Sequence, residues 1–250
     1  MRDQQVVVIT GAGRGIGNAL AQTYLARPNC TVVGTIRDHS TPGVVELKEA
    51  FQGSGSSLLL IKLDSALPED ATSAVKEITT QGIDHIDILI VNAGISPPVI
   101  TLEAVNLEEV TSAFHVNAIG PLALYQACYP LLKKSRHAKF VAISSAAGSL
   151  SAMERYNAHV APAYCISKAA LNWITLSAHC GNKWLTAVAI NPGLVDTDMG
   201  NRTAKFLGLE KAPHTKKDSA EKIMALIDDA KRENVSGKFL DAIGGKELPW

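Results

Sequence analysis

A chain of 250 residues, 46% of them apolar, can bury a large core and has neither the composition of a fibrous protein nor that of a disordered one. Its 24 Lys and Arg balance 24 Asp and Glu, which argues against a general nucleic-acid binder, where a basic excess is expected. The four cysteines, Cys30, Cys128, Cys165 and Cys180, match no zinc-ligand spacing and read as free buried thiols, so no metal site is expected.

Met1-Arg2-Asp3-Gln4-Gln5 leads into an apolar run too short for a signal-peptide core. No stretch approaches the roughly 18 apolar residues of a membrane span. A cytoplasmic protein without membrane association is expected. Val6 to Ile9 is a β-branched run ending in Thr10-Gly11, as a buried parallel strand does. Ile16 to Ala26 has helical spacing and closes at Pro28. Thr31 to Ile36 predicts a second strand and Val44 to Phe51 a second helix. A flexible Gly-Ser loop at 53–57 follows, then a strand at Leu58 to Leu63 and a helix at Pro68 to Thr80. A fourth strand is predicted at Ile86 to Val91, one long helix at Leu107 to Leu132, and a fifth strand at Phe140 to Ser144. The remaining elements are a helix at Pro162 to Cys180, a strand at Leu185 to Ile190, a helix at Ser219 to Ala230 and a last strand at Lys238 to Leu240. Strands alternating with helices throughout imply right-handed βαβ units. The expected fold class is α/β: a single Rossmann-like, doubly wound domain over residues 1–250, with a seven-stranded, mainly parallel sheet and helices on both faces.

The first strand meets the first helix at Thr10-Gly11-Ala12-Gly13-Arg14-Gly15-Ile16-Gly17. Glycines there allow a tight turn and let backbone N–H groups approach a pyrophosphate, which the helix N-terminus also attracts. The Thr-Gly-x-x-x-Gly-x-Gly spacing resembles that of the short-chain dehydrogenase/reductase family. At the end of the second strand, Ile36 falls where NAD-dependent Rossmann enzymes place an acid, and Arg37 follows it. Arg14 and Arg37 are two guanidinium groups suited to a 2′-phosphate, which favours NADP(H). Asp38 becomes the acid if the register slips by two.

Further motifs extend the resemblance. Asp64 resembles the family's adenine-contacting Asp, though an Asp there also reads as a turn or cap residue. Asn92-Ala93-Gly94 resembles the Asn-Asn-Ala-Gly motif with Val91 replacing its first Asn; Ala93 and Gly94 leave room for the cofactor, and Asn92 ties adjacent strands. Tyr164 and Lys168, four residues apart, lie on one helical face. A cation there lowers the phenol's pKa towards a useful range. By the family's Ser-Ser-x-x-Gly segment, Ser145 is the catalytic serine, with Ser144 the competing assignment. Asn117 matches the Asn that bends the long helix and holds a relay water. Pro192, Gly193, Val195 and Thr197 match the Pro-Gly-x-Val-x-Thr segment around the nicotinamide amide.

The resemblance implies reduction of a carbonyl, with Tyr164 giving the proton, Lys168 binding ribose hydroxyls and Ser145 orienting the substrate oxygen. Ser145 and Tyr164 are 19 positions apart, more than in the family's commonest members. That longer segment and the C-terminal half resemble sniffer-like carbonyl reductases and fungal norsolorinic acid ketoreductases. An aromatic polyketide or other secondary metabolite is therefore implied as the small-molecule carbonyl substrate. Residues 149–162 and 196–217 are expected to wall the pocket, with a lid at Asn201 to Lys217. His159 and His179 read as structural. The two long helices imply a homodimer or homotetramer. Two alternatives remain open at this point: non-redox cyclisation or rearrangement on the same fold, and a cofactor-binding sensor without turnover.

Overall fold

The computed structural model describes residues 4–250, so the reading of residues 1–3 lies outside it. The strands β1 (Gln5–Thr10), β2 (Cys30–Ile36), β3 (Ser57–Lys62), β4 (Ile88–Val91), β5 (Lys139–Ile143), β6 (Thr186–Asn191), β7 (Phe239–Asp241) and β8 (Lys246–Leu248) form one sheet in the order β3-β2-β1-β4-β5-β6-β7-β8. All neighbours pair in parallel except β7 and β8. Strand order reverses between β1 and β4, so the topological switch point, where ligands bind in open α/β sheets, lies at their carboxyl ends.

The strands are apolar on both faces because both faces are covered. Val6 and Val8 enter one core cluster and Val7 and Ile9 the other, as side chains alternating along a strand must. One face is packed by α1 (Gly15–Leu25), α2 (Pro42–Glu49) and α8 (Lys216–Asp229), through residues such as Leu20, Tyr24, Val44, Leu47, Ile223 and Ile227. The other is packed by α3 (Pro68–Thr80), α5 (Gly120–Leu132) and α6 (Pro162–Gly181), through Ile78, Leu124, Leu131 and Leu171. Burying each such side chain stabilises the fold by roughly 1.5–3 kcal/mol before the entropy of ordering it.

Four expectations are corrected. The sheet has eight strands, because β8 returns antiparallel on β7 after the Gly244-Gly245 turn. The single helix expected at 107–132 is α4 (Leu107–Phe114) and α5 joined by a π turn at His115–Ile119, closed by the Gly120 N–H on the His115 carbonyl. The second helix starts at Pro42, whose fixed φ suits a first turn, and stops at Glu49, leaving Phe51 outside it and 75% exposed. Cys180 is exposed, while Cys30, Cys128 and Cys165 are buried thiols. No helix among the described residues is long and apolar enough to cross a membrane.

Candidate active site

The carboxyl ends of β1, β4, β5 and β6 run directly into Gly11, Asn92, Ser144 and Pro192. The carboxyl edge of the sheet therefore carries the glycine turn, the Asn-Ala-Gly segment, the serine pair and the Pro-Gly segment, while Tyr164 and Lys168 come from α6 and Asn117 from the π turn. Gly11 and Gly15 take φ of +70° and +62°, the left-handed region that favours glycine. Gly17 is required by space: a Cβ there would lie 2.4 Å from both Asn92 Nδ2 and the Gly11 carbonyl oxygen. No side chain caps the N-terminus of α1, whose cap position is the extended Arg14, so its first-turn N–H groups are left for a ligand. Asn92 ties β4 to β1, donating from Nδ2 to the Thr10 carbonyl at 2.9 Å. Thr10 Oγ1 in turn accepts the backbone N–H groups of Asn92 and Ala93, both at 2.9 Å. Thr10 is a positioning residue that the sequence reading quoted in the turn but did not single out.

At the end of β2, Ile36 is the last strand residue and is buried, while Arg37 beside it is exposed. Asp38 accepts both the Ser40 N–H and its hydroxyl, bonds that hold its carboxyl below the usual range. Arg14 lies 3.9 Å from Asp198, with both side chains largely exposed. Asp64 accepts the Ala66 N–H at 3.0 Å on one carboxylate oxygen, a local turn in which the other has no hydrogen-bond partner among the described residues.

Asn117 sits in the π turn, fully buried, and its amide spans two elements. Oδ1 accepts the Ile95 N–H at 2.9 Å, and Nδ2 donates to the Ile95 carbonyl at 2.8 Å and to Ser167 Oγ at 2.9 Å. π turns concentrate at functional sites because they widen the helix and re-aim a side chain. This one delivers Asn117 to the strand of chain leaving Gly94. On α6, Lys168 Nζ donates to the Ile143 carbonyl at 2.8 Å and lies 5.7 Å from the centre of the Tyr164 ring. It has no other hydrogen-bond partner among the described residues, so a buried ammonium keeps donors free for ligand hydroxyls.

The two serines separate cleanly. Ser144 is buried and donates to Asn172 Oδ1 at 2.6 Å, whereas Ser145 is half-buried, accepts the Ala147 N–H at 3.2 Å and sits by the Tyr164 hydroxyl, whose charged form it favours. Tyr164 is half-buried as a residue, and protein crowds its hydroxyl. Burial pushes its pKa up to about 12 against the opposing hydrogen bond from Ser145. Burial pushes Lys168 down to about 8. The expected lowering of the Tyr164 pKa is therefore absent in the free protein. Desolvation of the phenolate outweighs the opposing effect of Ser145, and burial disfavours the charged form of Lys168 as well.

Past β6, Gly193 takes φ +84°, Val195 pairs with His214, and Thr197 caps α7 (Asp198–Phe206) by accepting the Gly200 N–H at 3.0 Å. A Cβ on Gly15 would lie 3.5 Å from Thr197 Cγ2, so this segment closes over the glycine turn. The Ser219 hydroxyl donates to the Pro192 carbonyl at 2.8 Å. His179 is structural, its Nδ1 2.8 Å or less from a hydroxyl: 2.7 Å from Ser236 Oγ. His159, also expected to be structural, is exposed and makes no hydrogen bond or ion pair with the described residues. A cleft of about 270 Å³ opens between residues 96–99 and α7. A larger recess of about 460 Å³ lies against α4, lined by Ala66, Leu107 and His115 among others. The Tyr164, Lys168 and Ser145 side chains line neither hollow, and the smaller one is tied to them through the chain that leaves Gly94 beside Lys168.

A sequence profile described as short chain dehydrogenase matches residues 5–207. The chain belongs to the short-chain dehydrogenase family. This short-chain dehydrogenase is 45% identical over 251 residues to the short-chain dehydrogenase srdF of Neurospora crassa, covering 99% of this chain and 98% of that one. It is 36% identical over 252 residues to the norsolorinic acid ketoreductase of Aspergillus parasiticus, with 99% and 92% covered. Among solved structures it resembles an NADPH-bound carbonyl reductase from chicken fatty liver, with TM-score 0.86, 29% identity and 99% and 94% of the two chains covered. The carbonyl reductase Sniffer of D. melanogaster superposes with TM-score 0.84, 25% identity and 99% and 100% covered. The oxidoreductase family, its Rossmann-like fold and the likeness to sniffer-type and norsolorinic-type proteins stand as read from the sequence. A nicotinamide dinucleotide fits the residues present, on three counts: the uncapped α1 terminus, the space that Gly17 leaves and the free donors of Lys168.

Proposed function

We propose that this chain reduces a ketone or aldehyde to an alcohol using NADP(H), with Tyr164 as the proton donor. The observation that carries the reading is a phenol, a hydroxyl and a buried ammonium brought together: Tyr164 beside Ser145, with Lys168 5.7 Å from the ring centre. When bound, the reduced nicotinamide supplies a hydride to the carbonyl carbon. Ser145 and the Tyr164 hydroxyl hold the substrate oxygen by hydrogen bonds, which strengthen as that oxygen gains charge. Tyr164 then gives its proton to the oxygen; a pKa held high keeps it protonated at neutral pH, the form that reduction needs. Lys168 carries the compensating positive charge, and its free donors suit ribose hydroxyls. Asn117 fixes Ile95 and with it the wall beside Lys168. Gly11, Gly13, Gly15, Ile16 and Gly17 cradle the pyrophosphate, Asp64 lies at the adenine end, Asn92, Ala93 and Gly94 line the floor, and Pro192, Gly193, Val195 and Thr197 enclose the nicotinamide end.

Arg14 and Arg37 favour the 2′-phosphate, since no carboxylate takes the acid's place at Ile36 and Asp38 is engaged by Ser40. Residues 149–162 and 196–217 form the substrate walls. The names of the relatives support a carbonyl substrate, with an aromatic polyketide or related secondary metabolite the favoured class.

NADPH oxidation across aryl ketones, quinones and aldehydes, paired with cofactor titrations, tests the reading. Tyr164→Phe is expected to lose about 10²–10⁴-fold in kcat with cofactor affinity kept. Arg14→Ala with Arg37→Ala is expected to weaken NADPH at least about tenfold while sparing NADH. Tight NADPH binding without oxidation by any carbonyl would overturn the activity. NADH binding as tightly as NADPH would overturn the arginines' role.

A further inference from the structure

We infer that Arg202 makes the substrate cleft selective for an apolar, aromatic ketone that also carries an ionised acidic oxygen, a carboxylate or an acidic phenol. The inference rests on the carbonyl-reduction reading and adds the substrate class to it. One wall of the cleft is residues 96–99, a segment that starts at Gly94, where a Cβ would lie 3.7 Å from Lys168 Nζ. That wall is Ser96, whose hydroxyl donates to the Pro97 carbonyl at 3.3 Å, then Pro97, Pro98 and Val99, mostly apolar and stiffened by the fixed φ of two prolines. The opposite wall is α7, which turns Met199, Arg202, Thr203 and Phe206 to the cleft at i, i+3, i+4 and i+7, one helical stripe.

Among the described residues lining the cleft, Arg202 is the one that carries a charge. It makes no hydrogen bond or ion pair with the described residues. The nearby carboxylates are already engaged elsewhere. Asp196 accepts Lys211 at 2.8 Å and Asn201 Nδ2 at 2.8 Å, and Asp198 faces Arg14. Arg27 pairs with Asp228 and Arg232 donates to the carbonyls of His179, Asn182 and Leu185, whereas Arg202, like Arg37, has its guanidinium unengaged by the described residues. A planar guanidinium facing an apolar wall beside the site offers a fork that matches a carboxylate, and the thioether and ring beside it accept a flat apolar body.

The test uses 6-acetyl-2-naphthoate and its methyl ester, which differ by one charge. In the cofactor-loaded wild type, kcat/KM is expected to favour the acid by about tenfold or more, expressed mainly in KM. Arg202→Met is expected to abolish that ratio, and Arg202→Lys to restore part of it, since charge returns without the fork. Lys205→Met, a cation on the same helix outside the cleft, is expected to leave the ratio alone. Loss of the ratio in both variants would point to a general field and overturn the inference, as would an equal ratio in wild type and Arg202→Met. If neither ketone is reduced, the activity reading fails on its own, and dissociation constants of acid and ester decide the inference. A tenfold preference lost in Arg202→Met sustains it; equal affinities sink it. Arg202 is exposed, so thermal unfolding is expected to match between variants.

Discussion

At the scale of single residues, the centre of the site is a pair whose ionisation burial opposes. Lys168 is 4% exposed and has a single carbonyl partner, and its pKa sits near 8 against 10.5 when free. Between those values the unfolded chain holds a proton that the folded chain has released, so on this account stability rises with pH from about 8 to 10.5. Below about 8 the folded protein carries a desolvated charge at a cost. In the cofactor-free protein, the unfolding free energy of wild type minus that of Lys168→Met should therefore increase over that window, by at most about 3 kcal/mol. Urea titrations at several pH values measure it. A difference that falls as pH rises would mean that the fold holds the lysine charged by a favourable partner. The Tyr-x-x-x-Lys spacing was enough to find both residues, since four positions make one helical face. The direction of the tyrosine's shift was not legible. It depends on how much water surrounds the hydroxyl, and on Ser145 arriving from another strand. The same applies to Ser144 and Ser145: adjacent in sequence, they part only because Asn172 on α6 takes the first.

At the scale of elements, segments with one dominant period were read well and segments held by distant partners were not. The strand β1 and the helix α6 lie within a residue or so of their expected bounds. The π turn at 115–119 carries no break in apolar periodicity, so a continuous helix was the natural reading; its cause is the pull of Ile95 on Asn117. The 149–162 segment was placed beside the site, but not its anchorage. Ser149 Oγ donates to the Pro249 carbonyl at 2.7 Å, the Ser151 N–H donates to the Trp250 carbonyl at 3.1 Å, and Trp250 stacks on Phe239 with ring centres 5.6 Å apart. The C-terminal residues thus strap the segment that leaves Ser145. Trp250→Ala is expected to lower stability by about 1–3 kcal/mol and to speed tryptic cleavage after the exposed Arg155. An unchanged cleavage rate would remove the strap's role in ordering that segment. The short β8 had its own signal in Gly244-Gly245, a pair that favours a hairpin turn, but three residues with Lys246 and Glu247 among them show no strand pattern.

At the scale of the whole molecule, α6 presents Ile166 and Trp173, seven residues apart and 44% and 70% exposed, along one stripe. Exposed apolar area of this kind suits a self-complementary helix interface, in keeping with the proposed homodimer or homotetramer. Light scattering after size exclusion is expected to find the wild type as an oligomer and Trp173→Glu as a monomer; a monomeric wild type would overturn the proposal. Sequence by itself determined the family, the alternation of strands and helices, and the residue types at the sheet's carboxyl edge. Those features are local: a period of two or 3.6, a glycine turn and a spacing of four are written in neighbouring residues. Only the tertiary structure decided which serine faces the tyrosine, which way burial moves Tyr164 and Lys168, where the long helix opens, and which arginine is left without a partner in the cleft. Each of these depends on chain segments far apart in sequence that meet at one edge of the sheet.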